Sequence, residues 1–231
     1  MSFTFAPCPQ AVLPVEGENN SYFPIHRVYG IARNYAAANA ALGEKTEPSL
    51  FLKPADAVVY APEGKTLELD FPQATEDLQH EVELVVAIGK EGKNIPVEEA
   101  MDYVWGYAAG LDMTRRDLQR ASSAKGKPWD TAKAFDESAP MTAIKPAART
   151  PDNEPMSLWL YVNNEKRQEG TTEEMIYSVP EIISFLSTLY VLKPGDLIMT
   201  GTPGGIGTVH AGDTLEGGVQ GVGILKVKYR G

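Results

Sequence analysis

The tetrapeptide His80-Glu81-Val82-Glu83 sets two carboxylates two residues apart at the head of an apolar run over residues 84–88. On a strand, side chains at i and i+2 share a face, so Glu81 and Glu83 are predicted to point the same way. Carboxylates held side by side repel unless a proton or a cation lies between them. Taken alone, such a pair describes a solvated strand end more often than a metal site. Asp112 changes the balance. It closes a second apolar run, residues 106–111, where a charge is costly unless it is paired or metal-bound. Three carboxylates without a thiolate suit a hard divalent cation, Mg²⁺ first, with Mn²⁺ or Ca²⁺ as substitutes, rather than zinc. The spacing is not His-Glu-x-x-His, which excludes that class of zinc protease.

Lys133 lies in Thr131-Ala132-Lys133-Ala134-Phe135, among small and aromatic neighbours. A lysine in isolation is usually a surface residue. Arg116 and Gln119 are about one helical turn apart and share a face, turned to the metal or to bulk water. The run Thr200-Gly201-Thr202-Pro203-Gly204-Gly205-Ile206-Gly207 closes a strand with a tight turn, and its glycines permit close backbone approach to a ligand. It is no phosphate loop, since neither Gly-Lys-Ser/Thr nor a GxGxxG register is present.

These residues need strands to hold them. Residues 50–52, 57–60, 66–69, 81–88, 106–113 and 197–200 read as strands, with a hairpin over 157–168 and two further strands over 212–229. Residues 97–103 read as a short helix. Thr114 resembles an N-cap with Asp117 at the capping-box position, leading a helix towards Lys125. Residues 173–189 read as mostly helical, broken at Pro180. Residues 34–42 are Ala-rich, a short helix or a mobile loop ended by Gly43. Residues 1–24, rich in Pro, Gly and Asn, read as an extended arm ahead of a single catalytic domain over 25–231. Strands dominate without a regular βαβ rhythm, which predicts an α+β or mixed α/β fold.

Composition sets the outer limits. The 231 residues are enough for one large core, and 43% apolar against 23% charged residues is ordinary for a globular chain. A net charge of −10 argues against nucleic acid as a partner and disfavours a simple anionic substrate unless a local cation recruits it. The single cysteine, Cys8, builds neither a disulfide framework nor a thiolate site and fits a reducing, cytoplasmic setting. No secretory signal is expected, and no apolar stretch of about 18 residues predicts a membrane span.

Taken in order, Ala32-Arg33-Asn34-Tyr35, Phe51-Leu52-Lys53-Pro54, His80-Glu81-Val82-Glu83-Leu84, Leu111-Asp112-Met113-Thr114-Arg115-Arg116-Asp117, Lys133-Ala134-Phe135-Asp136, Arg167-Gln168-Glu169-Gly170 and Thr200-Gly201-Thr202-Pro203 resemble the fumarylacetoacetate hydrolase family, in its short acylpyruvase and fumarylpyruvate hydrolase branch. The resemblance spans about residues 28–229. It implies a mixed β-roll with flanking helices, usually a homodimer, acting on a small oxo-acid. It implies Glu81, Glu83 and Asp112 as Mg²⁺ ligands, Lys133 as the catalytic lysine, and Arg116, Gln119 and Thr202 as substrate contacts. The implied reaction is hydrolysis of the C–C bond of an acylpyruvate such as fumarylpyruvate, giving pyruvate and a carboxylic acid.

One departure stands out. Where the family usually carries a lid histidine and glutamate that activate water, this chain has Ala38 and Ala41. Neither moves a proton. Alternatives therefore stand beside hydrolysis: oxaloacetate decarboxylation, keto–enol tautomerisation, or a catalytically silent metal- and oxo-acid-binding relative.

Overall fold

The structure, a computed structural model, describes residues 3–35, 47–150 and 155–231. An eight-stranded sheet carries the site. Its order is β4 (Ser49–Lys53), β3 (Val28–Ala32), β15 (Leu197–Met199), β8 (Val82–Ile88), β9 (Val104–Leu111), β11 (Ala139–Met141) and β5 (Val58–Tyr60), with β12 (Lys145–Pro146) also on β9. Pairing is mixed: β15 runs parallel to β3 and antiparallel to β8. A five-stranded sheet holds β14 (Glu165–Thr171), β13 (Ser157–Val162), β17 (Thr214–Val219), β18 (Gly223–Arg230) and β6 (Thr66–Asp70). A small third sheet joins β10 (Thr114–Arg115), β7 (Leu78–His80) and β16 (Gly207–Val209). Helices α1 (Arg116–Ser123), α2 (Asp130–Lys133) and α3 (Val179–Leu189) flank these sheets. This is the mixed, strand-dominated fold that the sequence predicts and the β-roll that the family resemblance implies.

Strand β8 is buried along its whole length because it separates two cores. Val82, Leu84, Val86 and Ile88 face the larger cluster, while Val85 and Ala87 face the smaller one. Antiparallel β9 alternates in register: Tyr107, Ala109 and Leu111 face the larger cluster and Ala108 the smaller. The period-2 alternation then puts Glu83 on the small-core side with Gly110 opposite it, and Glu81 and Asp112 sit one residue beyond the ends of the two strands. Burying each large aliphatic side chain contributes about 1.5–3 kcal/mol, so the two cores fix this register strongly.

Several local expectations change. The N-terminal arm is not free: β1 (Val12–Pro14) pairs with β2 (Tyr22–Pro24), and Leu13, Val15 and Phe23 are buried in the small core. Two of the prolines that suggested an extended arm, Pro14 and Pro24, lie on this short two-stranded hairpin, where a missing N–H is tolerated. Thr114 does not cap α1. It sits in β10, its hydroxyl turns to Glu81, and the residue before the helix is Arg115. The Asp117 carboxylate instead accepts from Thr75 and from the backbone of Glu76. Pro180 lies in the first turn of α3 rather than breaking a longer helix, since proline is pre-organised for that turn. Glu181 closes that end by accepting from the Ser178 backbone N–H and hydroxyl. Residues 97–103 form a 3₁₀ helix. Residues 36–43, and with them Ala38 and Ala41, lie outside the described residues.

Candidate metal centre

Glu81, Glu83 and Asp112 converge, with one ligand atom of each lying within 4.8 Å of the others, and all three are buried. Two features bring them together. Glu83 lies opposite Gly110 in the β8–β9 ladder, and the backbone N–H of Asp112 donates to the carbonyl of Glu81 at 2.8 Å.

The triad's electrostatics ask for a cation. Burial, followed by the like charges of Asp112 and Glu81, pushes the Glu83 carboxyl well above the usual carboxylate range. Burial works the same way on Asp112, but Lys133 and Lys53 outweigh it and hold that carboxyl below its ordinary value. Asp112 Oδ1 lies 2.9 Å from Lys53 Nζ, yet no aligned hydrogen bond reaches it. A carboxylate oxygen that is buried and incompletely bonded, next to two further oxygens of like charge, fits a hard divalent cation. Glu81, Glu83 and Asp112 are the residues that would hold it.

Lys133, the last residue of α2, is buried, and its Nζ reaches Glu81 Oε2 at 3.1 Å and also Asp112 Oδ2. Burial opposes its charge, but Asp112 and Glu81 overcome that and hold its pKa above the usual lysine value. The ring of Phe51 sits 4.6 Å from Nζ. That ring packs where a side chain at residue 30 would be, since a Cβ on Gly30 would come within 2.1 Å of it. Gly201 is required in a similar way. Its φ is +99°, a Cβ there would meet Asn34, and its N–H donates to Glu83 Oε2 at 2.7 Å.

The triad opens on a cleft of about 450 Å³ whose walls include Arg33, Glu81, Arg116, Gln119, Trp129, Lys133, Thr202 and Ile206. All of the proposed polar site residues except the buried Glu83 and Asp112, which do not line it, therefore border one space. Arg116 and Gln119 do share a face, but neither points freely into the cleft. Arg116 donates to Glu81 Oε1 at 2.6 Å, to Gln79 Oε1 at 2.8 Å and to Gln119. The Thr202 hydroxyl donates to the Val82 carbonyl at 2.7 Å and accepts from Gln168 at 2.8 Å. Gln168 in turn accepts from the Val82 N–H and pairs with His80 Nδ1. A second, larger cleft of about 900 Å³ along Trp159, Tyr161 and Gly170 contains none of the three carboxylates.

Lys53 is the site residue that the sequence reading did not single out. The available signal was a lysine following Phe51 and Leu52 in a strand, where a charge needs a buried partner.

Comparison with known proteins gives concordant findings. Residues 27–229 match the family model described as Fumarylacetoacetate (FAA) hydrolase C-terminal. The mitochondrial oxaloacetate tautomerase FAHD1 of Mus musculus is 46% identical over 202 residues, 87% of this chain and 90% of that protein. Its Arabidopsis thaliana namesake is 41% identical over 198 residues, 85% of this chain and 87% of that protein. The crystal structure of fumarylpyruvate hydrolase from Pseudomonas aeruginosa in complex with Mn²⁺ and pyruvate superposes with a TM-score of 0.95 at 44% identity, covering 99% of each chain.

Proposed function

This chain belongs to the fumarylacetoacetate hydrolase family, and on that premise we propose that it is a divalent-metal-dependent hydrolase of acylpyruvates such as fumarylpyruvate. The observation that carries the reading is the buried carboxylate triad with Lys133 at its edge, set under a cleft sized for a small oxo-acid. The Mn²⁺ and pyruvate named for the Pseudomonas aeruginosa structure support it. Mg²⁺ is the proposed native ion and Mn²⁺ a substitute.

When bound, the cation supplies Lewis acidity that polarises the oxo group and favours the enolate. The chain's own residues do the rest. The Lys133 ammonium adds positive charge where negative charge develops. Arg116 fixes Glu81 and Gln119 in place, and Trp129 and Ile206 give the cleft apolar wall. Cleavage adds one water across the bond between the acyl carbon and the pyruvate methylene, releasing pyruvate and a carboxylic acid.

Ala38 and Ala41, which stand where the family usually carries its water-activating pair, favour a second reading, and the oxaloacetate tautomerase name of the curated relatives fits it. Tautomerisation or decarboxylation of oxaloacetate needs the enolate-stabilising site but no attacking water. An ultraviolet assay separates the readings. Loss of acylpyruvate enol absorbance with stoichiometric pyruvate, abolished by a chelator, supports hydrolysis. Oxaloacetate turnover without acylpyruvate turnover supports the second reading, and Mn²⁺ binding with neither reaction identifies a silent relative. A homodimer belongs to the same proposal and is checked by sedimentation. Among the described residues no helix is long and apolar enough to cross a membrane.

A further inference from the structure

Two buried lysines meet Asp112, and their other partners differ in kind. Lys53 Nζ lies 2.9 Å from Asp112 Oδ1, 2.9 Å from Ser138 Oγ and 3.3 Å from the Met113 carbonyl, and it also donates to the backbone carbonyl of Lys133. Three of these four oxygens belong to the protein frame. Ser138 Oγ also donates to the Lys133 carbonyl at 3.1 Å, so the C-terminal end of α2 is held twice. Lys133 Nζ is bonded differently. Its partners are Asp112 Oδ2 and Glu81 Oε2, carboxylate oxygens that a bound cation would claim. Lys133 lines the cleft, whereas Lys53 is not among the residues that do so, and its side chain has no exposed surface.

Charge counting separates their roles further. The carboxylates of Asp112 and Glu81 are met by Lys53, Lys133 and Arg116 before any cation arrives, and Glu83 has no cation of its own among these pairs. A cation that took these carboxylate oxygens would displace Lys133 from the acceptors it has among the described residues. An ammonium without a partner in a buried site is costly, so Lys133 turns to the next anion available, the ligand in the cleft. Lys53 stays with Asp112 through that change, because it meets the other carboxylate oxygen, Oδ1.

We propose that Lys53 is a positioning residue. It stays paired with Asp112 and anchors α2, and it frees Lys133 to leave the carboxylates and bind the anionic ligand. This rests on the metal-dependent reading above.

The inference makes Lys53 act through Lys133, and a double-mutant cycle tests that directly. Mn²⁺ affinity is measured on the full chain by electron paramagnetic resonance. Pyruvate affinity is then measured by calorimetry on the Mn²⁺-loaded protein for the parent, Lys53→Met, Lys133→Met and the double variant. Expected is Mn²⁺ binding by Lys53→Met no weaker than by the parent, because a nearby positive charge has been removed. Pyruvate affinity is expected to fall roughly tenfold, the scale of one lost charge-assisted hydrogen bond. Lys133→Met on top of Lys53→Met is expected to add little. Ser138→Ala, a milder change that removes one of Lys53's acceptors, should move pyruvate affinity in the same direction by less, and it decides the matter if Lys53→Met does not fold. Parallel weakening of Mn²⁺ and pyruvate, or losses that multiply in the double variant, would overturn the role. Failure of the parent itself to bind Mn²⁺ overturns the metal reading, and the inference with it.

Discussion

Asp112 and Lys53 form an ion pair at 2.9 Å in which neither side chain has any exposed surface. With Lys133 on the other carboxylate oxygen, one acid is the shared partner of two buried lysines. Removing one partner of a buried pair typically costs about 3–5 kcal/mol, because the other charge is left without water or counterion. Asp112→Asn is therefore expected to lower the stability of the metal-free protein by that order, read as a fall in the denaturant midpoint. An unchanged midpoint would mean that the lysines find other partners.

Glu83 is expected to behave in the opposite sense. Its carboxylate is repelled by Asp112 and Glu81, so the metal-free protein gains nothing from its charge. Glu83→Gln keeps an oxygen that can accept from the Gly201 N–H and removes the repulsion. The variant should melt no lower than the parent without metal, and it should lose the stabilisation by Mn²⁺. For the parent that stabilisation is about 2.7 kcal/mol at a hundredfold excess of ion over Kd. A thermal-shift titration of the two proteins reads both effects. A variant that melts well below the parent without metal, or that Mn²⁺ still stabilises, contradicts this account.

Lys133→Met tests the catalytic charge. Turnover should fall about 10²–10³-fold, the usual loss when one preorganised donor to a developing anion is removed. Mn²⁺ affinity should not weaken, since a competitor for Asp112 and Glu81 is gone. Initial rates on acylpyruvate and oxaloacetate, alongside Mn²⁺ titration, decide it. Near-parental turnover would assign the charge stabilisation elsewhere.

Acid stability depends in part on Asp77, at the edge of the site. Burial alone would raise its pKa, but hydrogen bonds from Thr208, Arg120 and Gln79 outweigh this and hold it below the ordinary 3.8. A carboxyl depressed in the folded state contributes stability above its unfolded value and loses it as pH falls through the folded value. The melting difference between the parent and Asp77→Asn should therefore be full at neutral pH and close below 3.8. A difference that is constant across the acid range would show that shape rather than charge is at work. The contribution is modest, because the group keeps solvent contact.

The triad was legible because the strand period alone puts Glu81 and Glu83 on one face, and because an acid ending an apolar strand needs a partner. The β8–β9 register added what no spacing reveals, that Gly110 lies opposite Glu83 and that, one residue beyond the strand, the Asp112 N–H reaches the Glu81 carbonyl. Lys53 was not legible in the same way, because its partners come from residues 113, 133 and 138, brought to it only by tertiary packing. The Thr114 cap failed for a related reason. A threonine before a helix usually satisfies its first turn, but here the buried Glu81 carboxylate competes for the hydroxyl. The N-terminal hairpin was missed because its strands are three residues each, too short for an alternation to show.

The choice between hydrolysis and a water-independent reaction turns on positions 38 and 41. If acylpyruvate cleavage is limited by the missing proton acceptor, Ala38→His combined with Ala41→Glu should raise it by up to ~10²–10⁴, the range for a positioned general base. Oxaloacetate decarboxylation should change little, since it consumes no attacking water; tautomerisation, which moves a proton between carbon and oxygen, is not the control. The two substrates thus form an internal control: a general gain in folding or metal loading would raise both rates, while a restored base raises one. Rapid acylpyruvate hydrolysis by the unmodified chain, unimproved by the double change, would sink the argument. Water activation would then lie with another group of this chain, and the alanines would carry no information about the reaction.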